Sequence, residues 1–345
     1  MISRWFRRKP AIHYVYDGSQ WSFYWDAFYI TQGLRENHDL KTHITTKPWK
    51  LRGQIIQFGD RYGYLKGDFR GLHPSNKVFL TWFHGDLDDP NPDIQELFAL
   101  LPDALPYLEK IVVPCRITRD VLLQTGVPES QLVTIPLGVD LQLFKLPTPQ
   151  QRRTIRAALG IPENAICIGS FQKDGRGWGD GMEPKLVKGP DIFLEVIADL
   201  AKQYRNLVVL LTGPARGYVR QGLEKIGVPY VHRYLDDYRE IAPLYHALNT
   251  YLITSRSEGG PKALMESWAS GVPVVSTPMG MPADYIRQGE NGWLADPAGL
   301  AEGIRRLIED QTLREGCIQQ ALADVQALDW KMVAEGYFEM YQEFF

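Results

Sequence analysis

"TYLITSRSEGGPKALMESWASGVPVVSTP", residues 250–278, reads as a strand, a glycine turn, a helix and a second strand. The β-branched and aromatic run "TYLIT" suits a pleated, buried strand. Gly259 and Gly260 let backbone come close to another group. Pro261 suits the first helical position, because its missing N–H has no intrahelical partner there. "PKALMESWAS" continues as helix, and "VPVVSTP" returns as a buried strand. A strand that returns to a parallel neighbour through a helix is the repeating unit of an α/β fold.

The same alternation runs outward in both directions. Before the middle of the chain, "AIHYVYDG", "THITT", "QIIQFG", "KVFLTWFHG" and "KIVVPC" read as strands, with "WSFYWDAFYITQGLREN" and "NPDIQELFALLPDALPYL" as helices. It restarts with "AICIGSF", "NLVVLLTG", "PYVHRYL", "TYLITSR" and "VPVVSTP". Two doubly wound, Rossmann-like domains are the expectation. The boundary is read within "LVTIPLGVDLQLFKLPTPQ", where two prolines make a linker. This divides the chain into a domain over 1–147, a second over 148–329, and a closing helix over 330–345. That helix carries aromatic residues at near-helical spacing in "DWKMVAEGYFEMYQEFF" and is expected to cross back to the first domain. The two domains are expected to face each other across a cleft at their strand ends.

Bulk properties exclude several classes. The 345 residues carry a net charge of −3, so total charge implies no nucleic-acid partner. Three separated cysteines, Cys115, Cys167 and Cys317, without CxxC spacing, read as reduced thiols. No apolar run has the length of a membrane span. The start "MISRWFRRKP" is read as a solvated terminus rather than a secretion signal, its alternative being a peripheral contact with an acidic membrane surface. A cytoplasmic protein is expected, with the inner membrane face as the other setting.

Chemistry gathers where the opening stretch turns. Glu258 stands beside a helix start, whose N–H groups and positive dipole end attract anions. Glu266 lies further along that helix, roughly 7.5 Å from Pro261 at 1.5 Å per residue. Two carboxylates separated by an anion cradle suit a ligand with hydroxyls at both ends and phosphate between, which is the layout of a nucleotide-sugar. The plain alternative is that Glu258 serves the helix dipole and Glu266 faces solvent. "DLDD", Asp86–Asp89, has the D-x-D spacing of some metal sites, but the following "PNPD" makes helix capping the better reading. No cysteine or histidine cluster has metal spacing, and "DGRGWGDG" is neither a dinucleotide fingerprint nor a P-loop.

The run "SEGGPKALMESWASGVPVVSTPMGMPADYIRQGENGWLADP" resembles the signature of the retaining family 4 glycosyltransferases, which have the GT-B fold and an E-x7-E motif. Upstream, "LVTIPLGVDLQLF" resembles the family's hinge, with Leu137 where Asn is common. "CIGSFQKDG" with "KLVKGPDIFLEVI" resembles the opening of its second domain, and "DWKMVAEGYFEMYQEFF" its closing helix. The resemblance implies a metal-independent transferase that moves a sugar from a nucleotide-sugar donor to the hydroxyl of a sugar or glycolipid acceptor. It implies no cofactor beyond that donor, and polysaccharide or cell-surface glycan synthesis as the setting.

By the same resemblance Glu258 contacts the donor sugar, with Gly259, Gly260, Pro261, Lys262 and Ala263 around it. Glu266 holds the ribose, and Lys188 neutralises the departing diphosphate. Arg233, Tyr234 and Leu235 line the base pocket. The family's other phosphate-binding cation has no direct counterpart: Lys173 is the first substitute, with Arg176 and Lys185 as alternatives. In the first domain His84 ends "FLTWFHGD" and is implied near the transferred ring. Gly18, Ser19 and Trp21, in "YDGSQWSFYWD", belong to a second loop serving phosphate or acceptor, with Tyr24 as a further stacking candidate. Rival readings are a silent nucleotide-sugar-binding subunit, and an epimerase or phosphorylase on the same plan.

Overall fold

The computed structural model describes residues 9–20, 22–89 and 91–345. Trp21 and the basic, aromatic start before Lys9 lie outside the described residues. The chain forms two compact units, one of residues up to Gly138 together with Trp330–Phe345, the other of Val139–Asp329.

In the first unit, β1 (Ile12–Val15), β2 (Thr42–Thr45), β3 (Ile55–Phe58), β4 (Lys77–Thr81), β5 (Lys110–Val113) and β6 (Leu132–Thr134) pair in parallel. The sheet order is β2-β1-β3-β4-β5-β6. Helices α1 (Ser22–His38), α2 (Arg61–Leu65), α3 (Pro92–Ala104) and α4 (Arg116–Gln124) connect the strands. Ile56, Phe58, Val78 and Leu80 are buried with Leu97 and Leu101 of α3, as expected of strands covered on both faces.

The closing helix, Trp330–Tyr341, belongs to this unit and lies along α1. Tyr29 stacks on Trp330 with centroids 5.7 Å apart, and the Tyr341 hydroxyl donates to Gln57 at 2.8 Å. Gly33 permits this contact, because a Cβ there would stand 2.6 Å from Ala334 Cβ. Gly33→Val is expected to destabilise the first unit by about 1–3 kcal/mol through overpacking. A lowered urea midpoint at unchanged slope is the check.

The second unit repeats the plan with β7 (Ile166–Ser170), β8 (Leu207–Thr212), β9 (Tyr230–Arg233), β10 (Thr250–Ile253), β11 (Val274–Ser276) and β12 (Trp293–Leu294). Their order is β12-β11-β10-β7-β8-β9, again parallel throughout. Eight helices accompany them: α5 (Pro149–Leu159), α6 (Pro190–Gln203), α7 (Gly217–Ile226), α8 (Ala242–Tyr245), α9 (Lys262–Ala269), α10 (Gly280–Tyr285), α11 (Leu300–Glu309) and α12 (Gln311–Asp324). Its core joins Ile168, Val209, Leu211 and Leu252 of the strands to Ile197, Leu223 and Ile304 of the helices.

The chain passes between units at Gly138–Val139, earlier than the expected boundary at Thr148. The reason is local: Val139 N–H bonds to Leu328 at 2.8 Å, and Phe144 packs on Tyr245 at 5.8 Å. Thr148 instead opens α5 with a capping box shared with Gln151.

All three cysteines are buried and unpaired by disulfide. Burial pushes the Cys167 thiol up to about 12, so almost no reactive thiolate exists at ordinary pH. A thiol reagent at pH 8 is expected to leave Cys167 unlabelled in the folded chain and to label it in denaturant.

Candidate functional site

Both sheets are parallel, so each gathers its catalytically useful loops at one end. Ligands of such sheets bind where loops leave neighbouring central strands in opposite directions. In the second unit these strands are β7 and β10. The connection after β7 ends in the single turn Leu186–Lys188, and the loop after β10 carries Ser255 to Pro261.

Backbone and side chains lock those two segments together. Arg256 N–H bonds to Val187 at 2.8 Å, and the Thr254 hydroxyl bonds to the Gly189 carbonyl at 2.9 Å. Gly189 sits at φ +63°, and a Cβ on it would lie 1.9 Å from the Thr254 carbonyl oxygen. Only glycine fits that crossing. The Arg256 guanidinium grips Asp191 through two bonds of 2.8 and 2.6 Å, tying the loop to the first turn of α6.

As a result the Lys188 ammonium donates to Glu258 Oε1, while the Ser255 hydroxyl donates to Glu258 Oε2 at 2.9 Å. The lysine and glutamate side chains keep 19% and 17% of their surface, so the pair is sheltered but reachable. Gly259 is held from the other side, its carbonyl accepting from Met281 at 2.7 Å. Gly260 and Pro261 follow directly. Pro261 proves to be the cap of α9 rather than its first helical residue, with extended ψ of 113°. No side chain caps this helix start, at Lys262 and Ala263. The Lys262 ammonium lies over the Tyr238 ring, 5.6 Å from its centre.

Glu266 does not face solvent. It is 3% exposed, and its carboxylate accepts from the hydroxyls of Tyr238 and of Tyr245, the latter at 2.6 Å. Burial and that neighbouring charge raise the Tyr245 hydroxyl far above its ordinary range. These tyrosines, and Ser255, escaped the sequence reading; their spacing within "YREIAPLYHALNTYLITSRS" was the available signal. Arg233 ends β9, with Tyr234 exposed and Leu235 half-buried beyond it.

The candidate cations differ in their immediate partners. Lys173 places its ammonium over the Trp178 ring, 3.7 Å from the centre. Arg176 pairs with Glu183 at 3.1 Å on the surface. Lys185 is exposed overall, yet partial desolvation and the charges of Lys188, Lys173 and Arg176 push it below the lysine range, with Glu258 acting oppositely. Its backbone joins it to the Lys188 turn, the Lys185 carbonyl accepting from the Lys188 N–H at 2.8 Å.

In the first unit the equivalent strands are β1 and β3. Gly18, at φ +89°, opens a turn in which Ser19 donates its N–H and hydroxyl to Asp17 at 2.9 and 2.7 Å. After β3, Asp60 caps α2 through Tyr62 and Gly63, and the next residue, Arg61, is buried. The Arg61 guanidinium bonds to the His84 carbonyl and stacks over Trp82 at 4.8 Å. This buried arginine, unremarked in the sequence, holds the backbone of the His84 segment. Tyr24 sits in an aromatic cluster with Tyr16 at 5.6 Å and Phe28 at 6.4 Å. In "DLDD", Asp89 accepts from Asn91 at 2.9 Å, and Asn91 itself caps α3. Among the described residues no group of three or more His, Cys, Asp or Glu is arranged to hold a metal ion. No helix among them is long and apolar enough to cross a membrane.

Residues 184–324 match the family of glycosyl transferases group 1. The D-inositol 3-phosphate glycosyltransferase of Corynebacterium urealyticum is 24% identical over 228 residues, covering 62% of this chain and 51% of that protein. D-inositol 3-phosphate glycosyltransferase 1 of Catenulispora acidiphila is 30% identical over 219 residues, covering 57% and 49%. The chain thus spans about half the length of the curated relatives it matches. Among solved structures, Anabaena Alr3699/HepE in complex with UDP-glucose superposes with a TM-score of 0.76 at 17% identity, over 97% of this chain and 100% of that one. Sucrose-phosphate synthase from Thermosynechococcus elongatus gives 0.67 at 18% identity, over 84% and 73%. The second unit thus carries the group 1 match over residues 184–324, and the two six-stranded parallel sheets share the GT-B fold of these solved structures.

Proposed function

We propose that this protein transfers a sugar from a nucleotide-sugar donor to an acceptor hydroxyl with retention of anomeric configuration and without a metal. The observation that carries the reading is the Lys188–Glu258 pair, between the turn that ends the β7 connection and the loop after β10, beside the uncapped start of α9. Lys188 and Glu258 neutralise each other as an ion pair. A donor would part them, its diphosphate taking Lys188 and its sugar hydroxyls taking Glu258. The first-turn N–H groups of α9 and the Lys185 ammonium would add to the field that receives the leaving group. That sum of positive charge is what a metal ion supplies in other transferases.

The bond from the anomeric carbon to the phosphate oxygen breaks, and the bond to the acceptor oxygen forms on the same face. The acceptor's proton passes to the departing phosphate. Glu266, with carboxylate lone pairs beyond those taken by Tyr238 and Tyr245, would receive the ribose hydroxyls. Arg233, Tyr234 and Leu235 would border the base. The first unit would bind the acceptor, with His84 and the Gly18–Ser19 loop at its strand ends. HepE was solved with UDP-glucose, and the inositol phosphate transferases are named for a polyol acceptor; both support this class of substrates. Polysaccharide or cell-surface glycan synthesis is the setting this reading favours.

A panel of nucleotide-sugars incubated with the pure protein tests it. Slow release of nucleoside diphosphate from one donor, accelerated by an acceptor, is expected. No binding and no turnover with any donor would overturn it, and phosphate replacing nucleotide in the products would make the protein a phosphorylase.

A further inference from the structure

The connection between β7 and Lys188 contains a hairpin, Asp174–Pro184. Its neck is closed by Lys185 N–H bonding to the Asp174 carbonyl at 2.7 Å and Arg176 N–H bonding to Glu183 at 2.9 Å. Gly175 pairs with Pro184 as an antiparallel bridge. The hairpin is docked backbone to backbone on the start of α7: Tyr218 N–H bonds to Gly181 at 3.0 Å. Gly181 lies at φ +72°, where a Cβ would come within 2.3 Å of the Ala215 backbone.

Beneath the neck lies an ion pair that the proposed chemistry does not use. Arg216 Nε stands 2.9 Å from Asp174 Oδ1, with side-chain exposures of 0% and 1%. The same guanidinium donates to the carbonyls of Ser170 and Thr212 at 2.7 and 2.8 Å, and to the Ser170 hydroxyl at 3.1 Å. It is therefore anchored to the ends of both β7 and β8. Burying two charges costs desolvation that their attraction seldom exceeds, so stability alone is a weak reason for such a pair. Its geometric consequence is specific. Asp174 is the last residue before the neck closes, Lys173 precedes it, and Lys185 is bonded to its carbonyl.

We propose that Asp174 and Arg216 are positioning residues, a buried clamp that fixes the hairpin neck so that Lys185 reaches the donor diphosphate beside Lys188. This rests on the nucleotide-sugar reading of the same site. The clamp acts through Lys185 and touches no substrate. Burial pushes the Asp174 carboxyl upward and the Arg216 charge opposes it, so the carboxylate depends on its partner.

The test compares affinities for whichever of UDP, GDP and ADP the wild type binds most tightly, and for the matching nucleoside. Lys185→Met is expected to weaken diphosphate binding roughly tenfold and to leave nucleoside binding unchanged. Asp174→Asn should show the same selective loss, and the double variant should be no worse than Lys185→Met alone. A purely structural clamp would instead weaken nucleoside and diphosphate alike, or give additive losses, and either result overturns the proposal. Unchanged diphosphate affinity in Lys185→Met also overturns it, even if Asp174→Asn fails to fold. A wild type that binds none of the three nucleotides brings down the donor reading itself, a result distinct from these.

Discussion

Glu258→Gln is expected to lower sugar transfer by roughly three orders of magnitude, the scale of losing a principal transition-state contact. The fold should survive, because the amide keeps the carboxylate's shape and can still meet the Ser255 hydroxyl now 2.9 Å away. The informative part is binding. The Glu258 carboxylate pairs with the Lys188 ammonium. Removing that charge releases Lys188, so nucleoside diphosphate should bind as tightly as before, or more tightly, while turnover collapses. Such a split between binding and rate marks a group whose contribution is made in the transition state. Near-normal turnover in this variant would remove Glu258 from the chemistry.

Lys188→Ala is expected to give the opposite pattern. Diphosphate affinity should fall by about a hundredfold, since a charge-assisted contact in a sheltered site is lost. Calorimetry with diphosphate and nucleoside separates this from general damage, because on the proposed reading the base and ribose are bound by residues other than Lys188. Stability should fall as well, because Glu258 keeps only 17% of its side-chain surface and loses its cation. Ser255 remains to satisfy one oxygen, so folding should persist. Unchanged diphosphate affinity would exclude Lys188 from the site. The two variants are thus distinguished by binding, although both lose activity.

Much of the plan was legible in one dimension, for physical reasons. Buried parallel strands announce themselves as short apolar runs, and "NLVVLLTG" and "KVFLTWFHG" yielded β8 and β4 directly. The turn "SEGGPK" was legible because glycines followed by proline and a helix admit few backbones. Strand β12 was missed, since two residues cannot display a period. That Glu266 is buried against two hydroxyls was not legible, because the tyrosines that meet it lie on other elements. The hairpin that joins the Asp174 carbonyl to the Lys185 N–H was not legible either, since its two arms are too short and glycine-rich to display a period.

Local residue chemistry thus determined the alternation of strands and helices, the two parallel sheets, and the place where acid, glycine and helix start coincide. Those are short-range properties: periodicity, turn preference and the dipole of a helix end depend on neighbours along the chain. The tertiary structure alone decided which cation meets Glu258, that Glu266 lies among tyrosines, and that Asp174 is buried on Arg216. Each joins residues from separate loops and elements, and it is the order of strands in the sheet that brings their ends together.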